Sequence, residues 1–378
     1  MTRGLAVLGA GGFVGARYLE MAVLSGRTDV VPVVRAFRSM ARNAYLGVPH
    51  RLADASRPDA LRQALAGCEV VVNLTAGDPS KILSTTQSVY ESAASGGASL
   101  LIHMSTAAVY GRVERPELSD DAPPERHSTT EYARQKGLAE IFLRSKMGQG
   151  RMGVVVLRPG LVWGPGSPWL IGPAIDLVRG AAYLAAAGKG ICNLIYVDNL
   201  VSSIDAVVAT TEGRSGFYHV GDDETTTWRE YYHALAAGLG CDPATIHMFS
   251  KDGYRADVRE RIAGIRTMAG YRWLKDRVPL ERRAAVKIAL ARARGFSDVS
   301  TSAAPALNRA LWEVQTTRYA LPTHKFRATF GAHNRTTFAS GMSASLDWLH
   351  FIGLSQSEAL AATGRVPLTA ALSGAAET

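Results

Sequence analysis

Cysteine is scarce in this sequence, and long apolar runs are absent from it. The 378 residues include three cysteines, Cys68, Cys192 and Cys241, which lie far apart and lack the spacing of metal ligands. A disulfide framework is therefore not expected, and we interpret all three as reduced thiols in the core. No stretch approaches the roughly 18–20 apolar residues of a membrane helix, and the first predicted strand begins too early for a signal peptide. A cytoplasmic protein is the expectation that follows.

Acidic residues are outnumbered, and most of the basic excess lies in one segment. The chain has 42 Lys and Arg against 33 Asp and Glu, a net charge of +9. Between Lys251 and Gly295 there are thirteen basic and five acidic residues, a local excess of eight. An anionic small molecule, an acidic lipid surface, a nucleic acid or a solvated helix face would each be compatible with this segment.

Part of the basic segment, Glu281–Arg294, could form a helix with a mostly alanine apolar side. That side is small, so peripheral membrane contact is the weaker interpretation and an anionic substrate the stronger one. Nucleic acid is not an expected partner, because no base-reading motif accompanies the arginines.

Apolar runs alternate with helical stretches over the first 160 residues, which is the pattern of a parallel sheet covered by helices. The predicted strands are Leu5–Leu8, Val30–Val34, Glu69–Leu74, Leu100–Met104 and Gly153–Leu157, and predicted helices include Phe13–Ser25 and Glu131–Met147. Continuous apolar runs suit strands that are buried on both faces. Further on, short strands are predicted at Leu194–Val197 and Phe217–Val220, and a helix at Thr227–Leu239.

A glycine-rich turn follows the first predicted strand. Gly9, Gly12 and Gly15 have the spacing G-x-x-G-x-x-G, and Gly11, Phe13 and Val14 lie within the turn. Glycine permits a sharp turn and a close approach of the backbone to a phosphate. The helix that follows offers unpaired N–H groups and the positive end of its dipole. The turn therefore predicts a site for the pyrophosphate of a dinucleotide.

The residues after the second predicted strand bear on which nicotinamide cofactor is bound. An acid that would hold the adenine ribose hydroxyls is expected about 20 residues beyond the turn, but no Asp or Glu occurs from Val30 to Ala53. Arg35 stands there instead, with Arg38 close behind, and arginine pairs well with a 2′-phosphate. We therefore favour NADP, with NAD as the alternative. Asp54, beside Ala55, either accepts from the adenine amino group or is an ordinary loop carboxylate.

Tyr132 and Lys136 are four residues apart and project from one face of a predicted helix. A tyrosine with its ordinary pKa of about 10 is a poor base near neutral pH. The Lys136 ammonium and an oxidised nicotinamide, both positive, are expected to lower the pKa of Tyr132. Thr106, or Ser105 beside it, lies after a predicted strand and would hydrogen-bond the substrate oxygen.

Five motifs occur in an order that resembles an extended short-chain dehydrogenase/reductase of the NAD(P)-dependent epimerase/dehydratase family. They are Gly9–Gly15, Ser105–Gly111, Tyr132–Lys136, Arg158–Gly160 and Tyr196–Leu200, and the similarity spans about residues 4–240. The resemblance implies that Thr106, Tyr132 and Lys136 form the catalytic set, with Ser105 as second choice.

The same resemblance implies further cofactor contacts and an assembly. Pro159 and Gly160 would lie against the nicotinamide, and Thr75-Ala76 against the middle of the cofactor. It also implies a homodimer through helices that follow the central strands, including Glu131–Met147.

The βα pattern and the resemblance together predict an α/β fold, a Rossmann-type doubly wound parallel sheet with a smaller, helix-rich C-terminal substrate lobe. We assign residues 1–165 to the dinucleotide-binding domain, to which about 190–225 return, and 166–350 to the lobe. Residues 355–378 are rich in Ala, Ser and Thr and are expected to form a flexible tail.

The favoured reaction is hydride transfer between NADP(H) and a secondary alcohol or ketone of a nucleotide-linked sugar, by a reductase or an epimerase. The family's sugar-nucleotide 4,6-dehydratases carry an Asp-Glu pair after the catalytic threonine, where this chain has Ala107 and Ala108, so dehydration is not expected. A dehydrogenase of a lipid-like or sterol-type alcohol and a non-catalytic NADP-binding sensor remain alternatives.

Six other polar or aromatic positions have a structural and a functional interpretation. His103 and His219 are interpreted as packed histidines, and Asp120-Asp121 as a solvated turn rather than a metal site. Trp163 and Trp169 either wall a substrate pocket or fill the core.

Overall fold

A seven-stranded parallel sheet organises the computed structural model, which describes residues 4–111, 118–125, 130–210, 215–250, 254, 305, 307–331 and 334–354. In chain order the strands are β1 (Gly4–Leu8), β2 (Val30–Val34), β3 (Arg51–Leu52), β4 (Cys68–Asn73), β5 (Leu100–Met104), β6 (Gly153–Pro159), β7 (Leu161–Trp163), β8 (Tyr183–Leu184), β9 (Ile191–Cys192), β10 (Leu194–Tyr196), β11 (Gly216–Val220), β12 (Thr226–Thr227) and β13 (His247–Met248). The sheet order is β11-β6-β5-β4-β1-β2-β3. The chain runs outward from β1 to β3 and then returns to β4 on the other side of β1, so the predicted doubly wound Rossmann-type fold is confirmed.

Helices cover both faces of this sheet. In chain order, the α-helices of the described residues, including those away from the sheet, are α1 (Phe13–Leu24), α2 (Pro58–Leu65), α3 (Ile82–Ser95), α4 (Glu131–Lys146), α5 (Pro168–Val178), α6 (Val197–Ala209), α7 (Trp228–Leu239), α8 (Arg309–Gln315), α9 (His324–Phe330) and α10 (Phe338–Phe351). Along β1, Leu5 and Val7 pack in one core with residues of α1 and α6, whereas Ala6 and Leu8 pack in another with residues of α2, α3 and α4. Successive side chains of a strand point to opposite faces, which explains why the sequence of β1 is apolar at every position.

A separate core lies in the C-terminal part of the chain. Trp163 of β7 packs there with buried side chains of α5, α7 and α10, among them Leu170, Trp228 and Leu349. Aromatic rings meet edge to face in this cluster, as where Trp163 lies 5.9 Å from Tyr231. The region is helix-rich, as the sequence predicts.

The predicted strands and helices are present with small shifts at their ends. The largest difference is at the end of β6, which continues two residues beyond the predicted Leu157 to Pro159, and α6 begins at Val197, one residue after β10 has ended. Four helices, α2, α3, α5 and α6, were not predicted from the sequence, because Ser, Thr, Pro or β-branched residues within them weaken the helical pattern.

The three cysteines are buried and unpaired, as expected of core thiols. No helix among the described residues is both long and apolar enough to cross a membrane. The basic segment Lys251–Gly295, apart from Tyr254, and the predicted tail 355–378 lie outside the described residues.

Candidate active site

The glycine turn lies between β1 and α1, and three of its glycines are required by close packing or by the backbone. Gly9 has a φ of +78°, a conformation that L side chains rarely adopt. A Cβ at Gly11 would lie 1.8 Å from the Ser39 carbonyl oxygen, and one at Gly15 would lie 2.3 Å from the Gly9 carbonyl oxygen. The turn is thus pressed between the start of α1 and the 3₁₀ helix Phe37–Leu46.

The N-terminus of α1 fits the phosphates of a dinucleotide. Gly12 caps the helix without any side-chain hydrogen bond, so the first-turn amides of Phe13, Val14 and Gly15 have no acceptor within the helix. Beside the turn, Asn43 donates weakly to the Ala10 carbonyl at 3.4 Å, and its buried Oδ1 has no hydrogen-bond partner. Free donors at the positive end of a helix dipole suit an anionic group.

The residues predicted to bind the adenosine half lie at the end of β2 and after β3. Arg35 directly follows β2, Arg38 lies in the next 3₁₀ helix, and both are exposed. Asp54 lies near Arg35, and its carboxylate accepts from the backbone N–H of Ser56 at 2.9 Å. The bonds from Ser56, helped by Arg35, lower the pKa of Asp54. Ala55, half-buried, follows in the same loop.

Thr75 and Ala76 follow β4, the strand that pairs with β1 on the side opposite β2. The Thr75 backbone N–H and hydroxyl both donate to Asn73 Oδ1, at 3.1 and 2.6 Å. Asn73 in turn lies 3.2 Å from His103 Nδ1. These bonds fix the chain at the carboxyl ends of β4 and β5, where ligands bind in sheets of this topology.

Lys136 is buried on α4 and points at the end of the sheet. Its Nζ donates to the Met104 carbonyl oxygen at 2.7 Å and to that of Thr75 at 3.4 Å. Burial lowers the pKa of Lys136 to about 8, against the opposing influence of Glu140. The ammonium therefore lies between the ends of β4 and β5.

Tyr132 lies one turn before Lys136 on α4, and the Lys136 Nζ is 6.0 Å from the centre of its ring. Burial raises the pKa of Tyr132, and no opposing effect of Lys136 accompanies it. The expected lowering by Lys136 is therefore not found in the protein without cofactor, because desolvation of the phenolate outweighs an ammonium at this distance.

Thr106 and Ser105 are neighbours after β5, but their hydroxyls point to different surroundings. Thr106 lines a cleft, and its Oγ1 accepts from the Ala108 backbone N–H at 3.2 Å. Ser105 is buried, and its Oγ donates to Glu140 Oε1 at 2.5 Å. Of the two, Thr106 is the hydroxyl that a substrate in the cleft would meet.

The cleft has a volume of about 130 Å³ and lies at the carboxyl ends of β5 and β6. Its lining residues are Thr106, Ala107, Ala108, Gly111, Thr130, Ala133, Pro159, Gly160, Leu161, Ile191, Asn193, Ala310, Glu313, Val314, Thr317 and Tyr319. Thr130 and Ala133 flank Tyr132 along the chain. A Cβ at Gly160 would lie 2.1 Å from the Asn193 carbonyl oxygen, so glycine is required where β6 meets this loop.

Sequence reasoning missed a buried charge network beneath the cleft. The Glu140 carboxylate receives two bonds from Arg158, at 2.9 Å from Nε and 2.6 Å from NH2, in addition to that from Ser105. The remaining Arg158 nitrogen donates to the Tyr110 hydroxyl and to the Asp120 carbonyl oxygen. Arg158 and Glu140 are both fully buried. A charged residue within an apolar strand such as β6 signals a buried partner, and this signal was available in the sequence.

His103 and His219 are buried, as predicted, but the prediction of a solvated turn is wrong for Asp120. His219 Nε2 lies 2.6 Å from the Tyr110 hydroxyl, and its backbone N–H donates to Asp120 Oδ1 at 2.6 Å. Asp120 is therefore a buried acceptor and not part of a solvated turn, because the backbone of β11 approaches it from the far end of the chain. Asp121 is exposed and pairs with Lys325 at 3.0 Å.

Trp163 and Trp169 do not line the cleft. Trp163 is fully buried, and its indole N–H donates to Asp222 Oδ2 at 3.1 Å. Trp169 packs partly buried against the same C-terminal core. Both tryptophans therefore fill the C-terminal core and do not form the wall of the cleft.

A larger cavity of about 460 Å³ contains none of the predicted site residues. Its lining includes Ala186, Ala187, Lys189, Phe249 and Arg318. Ala186 and Ala187 have positive φ values of 48° and 53°, which alanine rarely adopts.

Comparison with known proteins agrees with this geometry. The family model described as "NAD dependent epimerase/dehydratase family" matches residues 5–221. The chain is 24% identical to a 2-alkyl-3-oxoalkanoate reductase of Shewanella oneidensis, over 63% of this chain and 67% of that protein. It is 28% identical to a dTDP-glucose 4,6-dehydratase of Streptomyces griseus, over 64% of this chain and 80% of the relative.

Solved structures show the same fold. A dTDP-glucose 4,6-dehydratase from Streptomyces venezuelae, determined with NAD bound, superposes with a TM-score of 0.66 and 19% identity. The superposition covers 92% of this chain and 97% of the other. Since the family model spans more than half of the sequence and the glycine turn, Thr106, Tyr132 and Lys136 all lie within the matched range, the chain belongs to the NAD-dependent epimerase/dehydratase family.

Proposed function

We propose that the protein is an NAD(P)-dependent oxidoreductase or epimerase that acts by hydride transfer at a secondary alcohol or ketone. The observation that carries this proposal is the position of the Lys136 Nζ, which donates to the Met104 carbonyl oxygen two residues before Thr106 and lies 6.0 Å from the centre of the Tyr132 ring. The glycine turn after β1, an inner strand of the same sheet, has no side-chain cap and fits the cofactor pyrophosphate. A non-catalytic sensor of the cofactor would need the turn but not these three side chains.

Each of the three side chains has a separate role in the proposed reaction. When bound, the nicotinamide cofactor supplies or accepts the hydride. Thr106 donates a hydrogen bond to the substrate oxygen and orients it in the cleft. The Tyr132 hydroxyl gives a proton to that oxygen in reduction and takes it back in oxidation. Lys136 holds the nicotinamide ribose and places a positive charge near Tyr132.

NADP is our preferred cofactor, and NAD is the alternative. The exposed guanidinium groups of Arg35 and Arg38 support a 2′-phosphate site at the end of β2. The Streptomyces venezuelae structure contains NAD, which supports the alternative. Gly9, Gly12 and Gly15 would serve either cofactor equally.

The described part of the cleft supports an uncharged, largely apolar ketone or alcohol as substrate. Of its sixteen lining residues only Glu313 is charged, and it forms an ion pair with Arg309 at 3.0 Å. A diphosphate in this cleft would meet a carboxylate and no lysine or arginine among these residues, which is unfavourable. The alternative of a lipid-like alcohol thus gains support.

A nucleotide-linked sugar, which the sequence favours, is the second candidate. The relative from Streptomyces griseus is by name a dTDP-glucose 4,6-dehydratase. The basic segment Lys251–Gly295, outside the described residues, could supply cations for a diphosphate.

We also propose that the protein does not catalyse 4,6-dehydration. Ala107 and Ala108 line the cleft, and neither side chain can move a proton. A dehydratase among the relatives means that similarity alone does not support the exclusion.

The first experiment identifies any nucleotide released from the denatured protein by mass spectrometry and then titrates the protein with NADPH and NADH. The titrated protein is next assayed with uncharged esters of 2-alkyl-3-oxo acids, sterol ketones and UDP- or dTDP-sugars. Turnover of an apolar ketone, lost at least about 100-fold in Y132F with cofactor affinity retained, would support the proposal. Turnover of a nucleotide sugar would replace our substrate proposal with the second candidate. Absence of cofactor binding would overturn the proposed function.

We further propose that the protein is a homodimer in the cytoplasm. Leu138 and Ile141 on α4 are partly exposed apolar side chains on the helix that the resemblance implicates in assembly. The boundaries at residues 165 and 350 likewise remain predictions.

A further inference from the structure

The Lys136 ammonium has neutral hydrogen-bond partners in a buried position. Both of its acceptors are backbone carbonyl oxygens, those of Met104 and Thr75. Burial lowers the pKa of Lys136 to about 8 even with Glu140 opposing it, so the ammonium has little margin before its charge is lost. An ammonium that must hold a ribose and act on Tyr132 needs a source of negative potential nearby.

Glu140 supplies that potential from one turn further along α4. The spacing of four residues places its carboxylate on the same face of the helix as Lys136. Among the influences on Lys136, Glu140 is the one that raises the pKa. Both of its own oxygens accept hydrogen bonds from Arg158 or Ser105, so the carboxylate has a fixed position.

Stability alone does not explain why an ion pair occupies this buried position. Taking two charges out of water costs about as much as their attraction returns, and apolar residues of similar volume often serve as well. Glu140 and Arg158 are both fully buried, where that cost is greatest. The position of the pair between Lys136 and the end of β6 suggests a role in the site.

We propose that Glu140, held in place by Arg158 and Ser105, is a positioning residue that keeps Lys136 charged. It touches neither substrate nor cofactor and acts through Lys136. The inference rests on the proposed function, in which Lys136 holds the cofactor ribose.

Four charged or titratable groups lie near Lys136 and Glu140, namely Tyr132, His103, Arg158 and Tyr110, whose ring lies against Arg158. Tyr132 lies one turn before Lys136 on α4, and Glu140 one turn after it. His103 on β5 is neutral, because burial and the nearby Lys136 keep its pKa well below the ordinary value. Arg158 on β6 lies beyond Glu140 and partly cancels its charge.

The test is the pH dependence of NADPH affinity, with NADH titrated in parallel, measured by fluorescence titration of the full-length protein between pH 6.5 and 10. In the wild type, affinity should fall as pH rises through a midpoint set by Lys136. In E140Q the midpoint should move to lower pH by about one unit or more, because the favourable charge is lost and Arg158 is left uncompensated. R158M should move the midpoint the opposite way, because Glu140 then acts unopposed. E140D should restore the midpoint, and E91Q, at an exposed carboxylate on α3, should leave it unchanged.

The outcomes separate this inference from the proposed function. Equal midpoints in the wild type, E140Q and R158M would show a structural role only and would overturn the inference. A wild-type affinity that does not change with pH over this range would overturn the inference too, because no titrating lysine would then act on the cofactor. Absence of NADH and NADPH binding at every pH would instead overturn the proposed function. If circular dichroism shows that E140Q does not fold, the inference is tested by R158M alone, in which the pH midpoint of cofactor affinity should shift upward.

Discussion

At the scale of single residues, the sequence does not show which of the neighbouring hydroxyls of Ser105 and Thr106 is buried and which faces the cleft. The structure directs Ser105 into the Glu140–Arg158 ion pair and Thr106 into the cleft. The difference arises because successive residues at the end of a strand point in opposite directions. The Ser105 hydroxyl thus holds the buried Glu140 carboxylate in place, and the Thr106 hydroxyl is available to a ligand.

We predict that T106V lowers kcat by about 100-fold or more, because a hydrogen bond to the reacting oxygen is lost. S105A should lower kcat much less and should mainly reduce stability, by about 1–3 kcal/mol, because Glu140 loses a buried donor. Steady-state kinetics with the substrate found in the panel, together with urea unfolding, measures both effects. A larger loss of kcat in S105A than in T106V would make Ser105 the catalytic hydroxyl.

At the scale of elements, the glycine turn depends on the 3₁₀ helix Phe37–Leu46 as well as on β1 and α1. Gly11 touches the backbone of that helix, and backbone atoms cannot move aside as a flexible side chain can. The sequence motif predicts the turn and the phosphate site. It does not predict the helix that closes over it, because the aromatic residues of that helix, Phe37 and Tyr45, are exposed and do not mark its buried face.

We predict that G11A destabilises the protein by about 1–3 kcal/mol and weakens cofactor binding, because the new methyl group would displace Ser39. G150A is the matched control, since a Cβ at Gly150 meets no atom within 4 Å. The control should be neutral or slightly stabilising. Urea unfolding and NADH titration of both variants provide the measurement, and wild-type behaviour of G11A would show that the turn is looser than described.

At the scale of the whole molecule, two buried histidines couple stability to pH. Burial, helped by Arg158, lowers the pKa of His219 to about 3, and burial also keeps that of His103 well below its ordinary value. Both stay neutral in the folded state, whereas in the unfolded chain they bind a proton near pH 6.5. Their contribution to stability is therefore complete above pH 6.5 and is lost as pH falls towards 3.

We predict that the free energy of unfolding decreases between pH 7 and 5, with a slope approaching two protons, about 1.4 kcal/mol per pH unit for each. Burial raises the pKa of Asp222, which acts in the opposite direction at acid pH. H219N should isolate the histidine effect by removing about one proton from the slope. A slope that is unchanged in H219N would mean that His219 takes up a proton in the folded state.

The second prediction at this scale concerns assembly. If Leu138 and Ile141 of α4 lie in a dimer interface, L138E/I141E should convert the dimer to a monomer of unchanged secondary structure. Light scattering coupled to gel filtration measures the mass, and circular dichroism the fold. K146E, at the far end of the same helix, serves as a charge-changing control. A wild-type monomer at micromolar concentration would refute the assembly proposal.

The sequence by itself determined the local features and the family. The apolar runs fixed the central strands to within two residues, and the turn at Gly9–Gly15 and the pair Tyr132–Lys136 indicated a cofactor and a proton-transfer group. These features depend on neighbours in the chain, on helix and strand periodicity and on backbone freedom, and a sequence displays all of these directly.

Only the tertiary structure decided which polar groups are buried together. Ser105, Glu140 and Arg158 meet across β5, α4 and β6, and Asp120 is buried because β11 lies against its loop. Such partners are 18 to 99 residues apart in the chain, so no local pattern reveals the distance between them. Burial of a charge is favourable only when a partner is in place, and packing of the whole fold provides that partner.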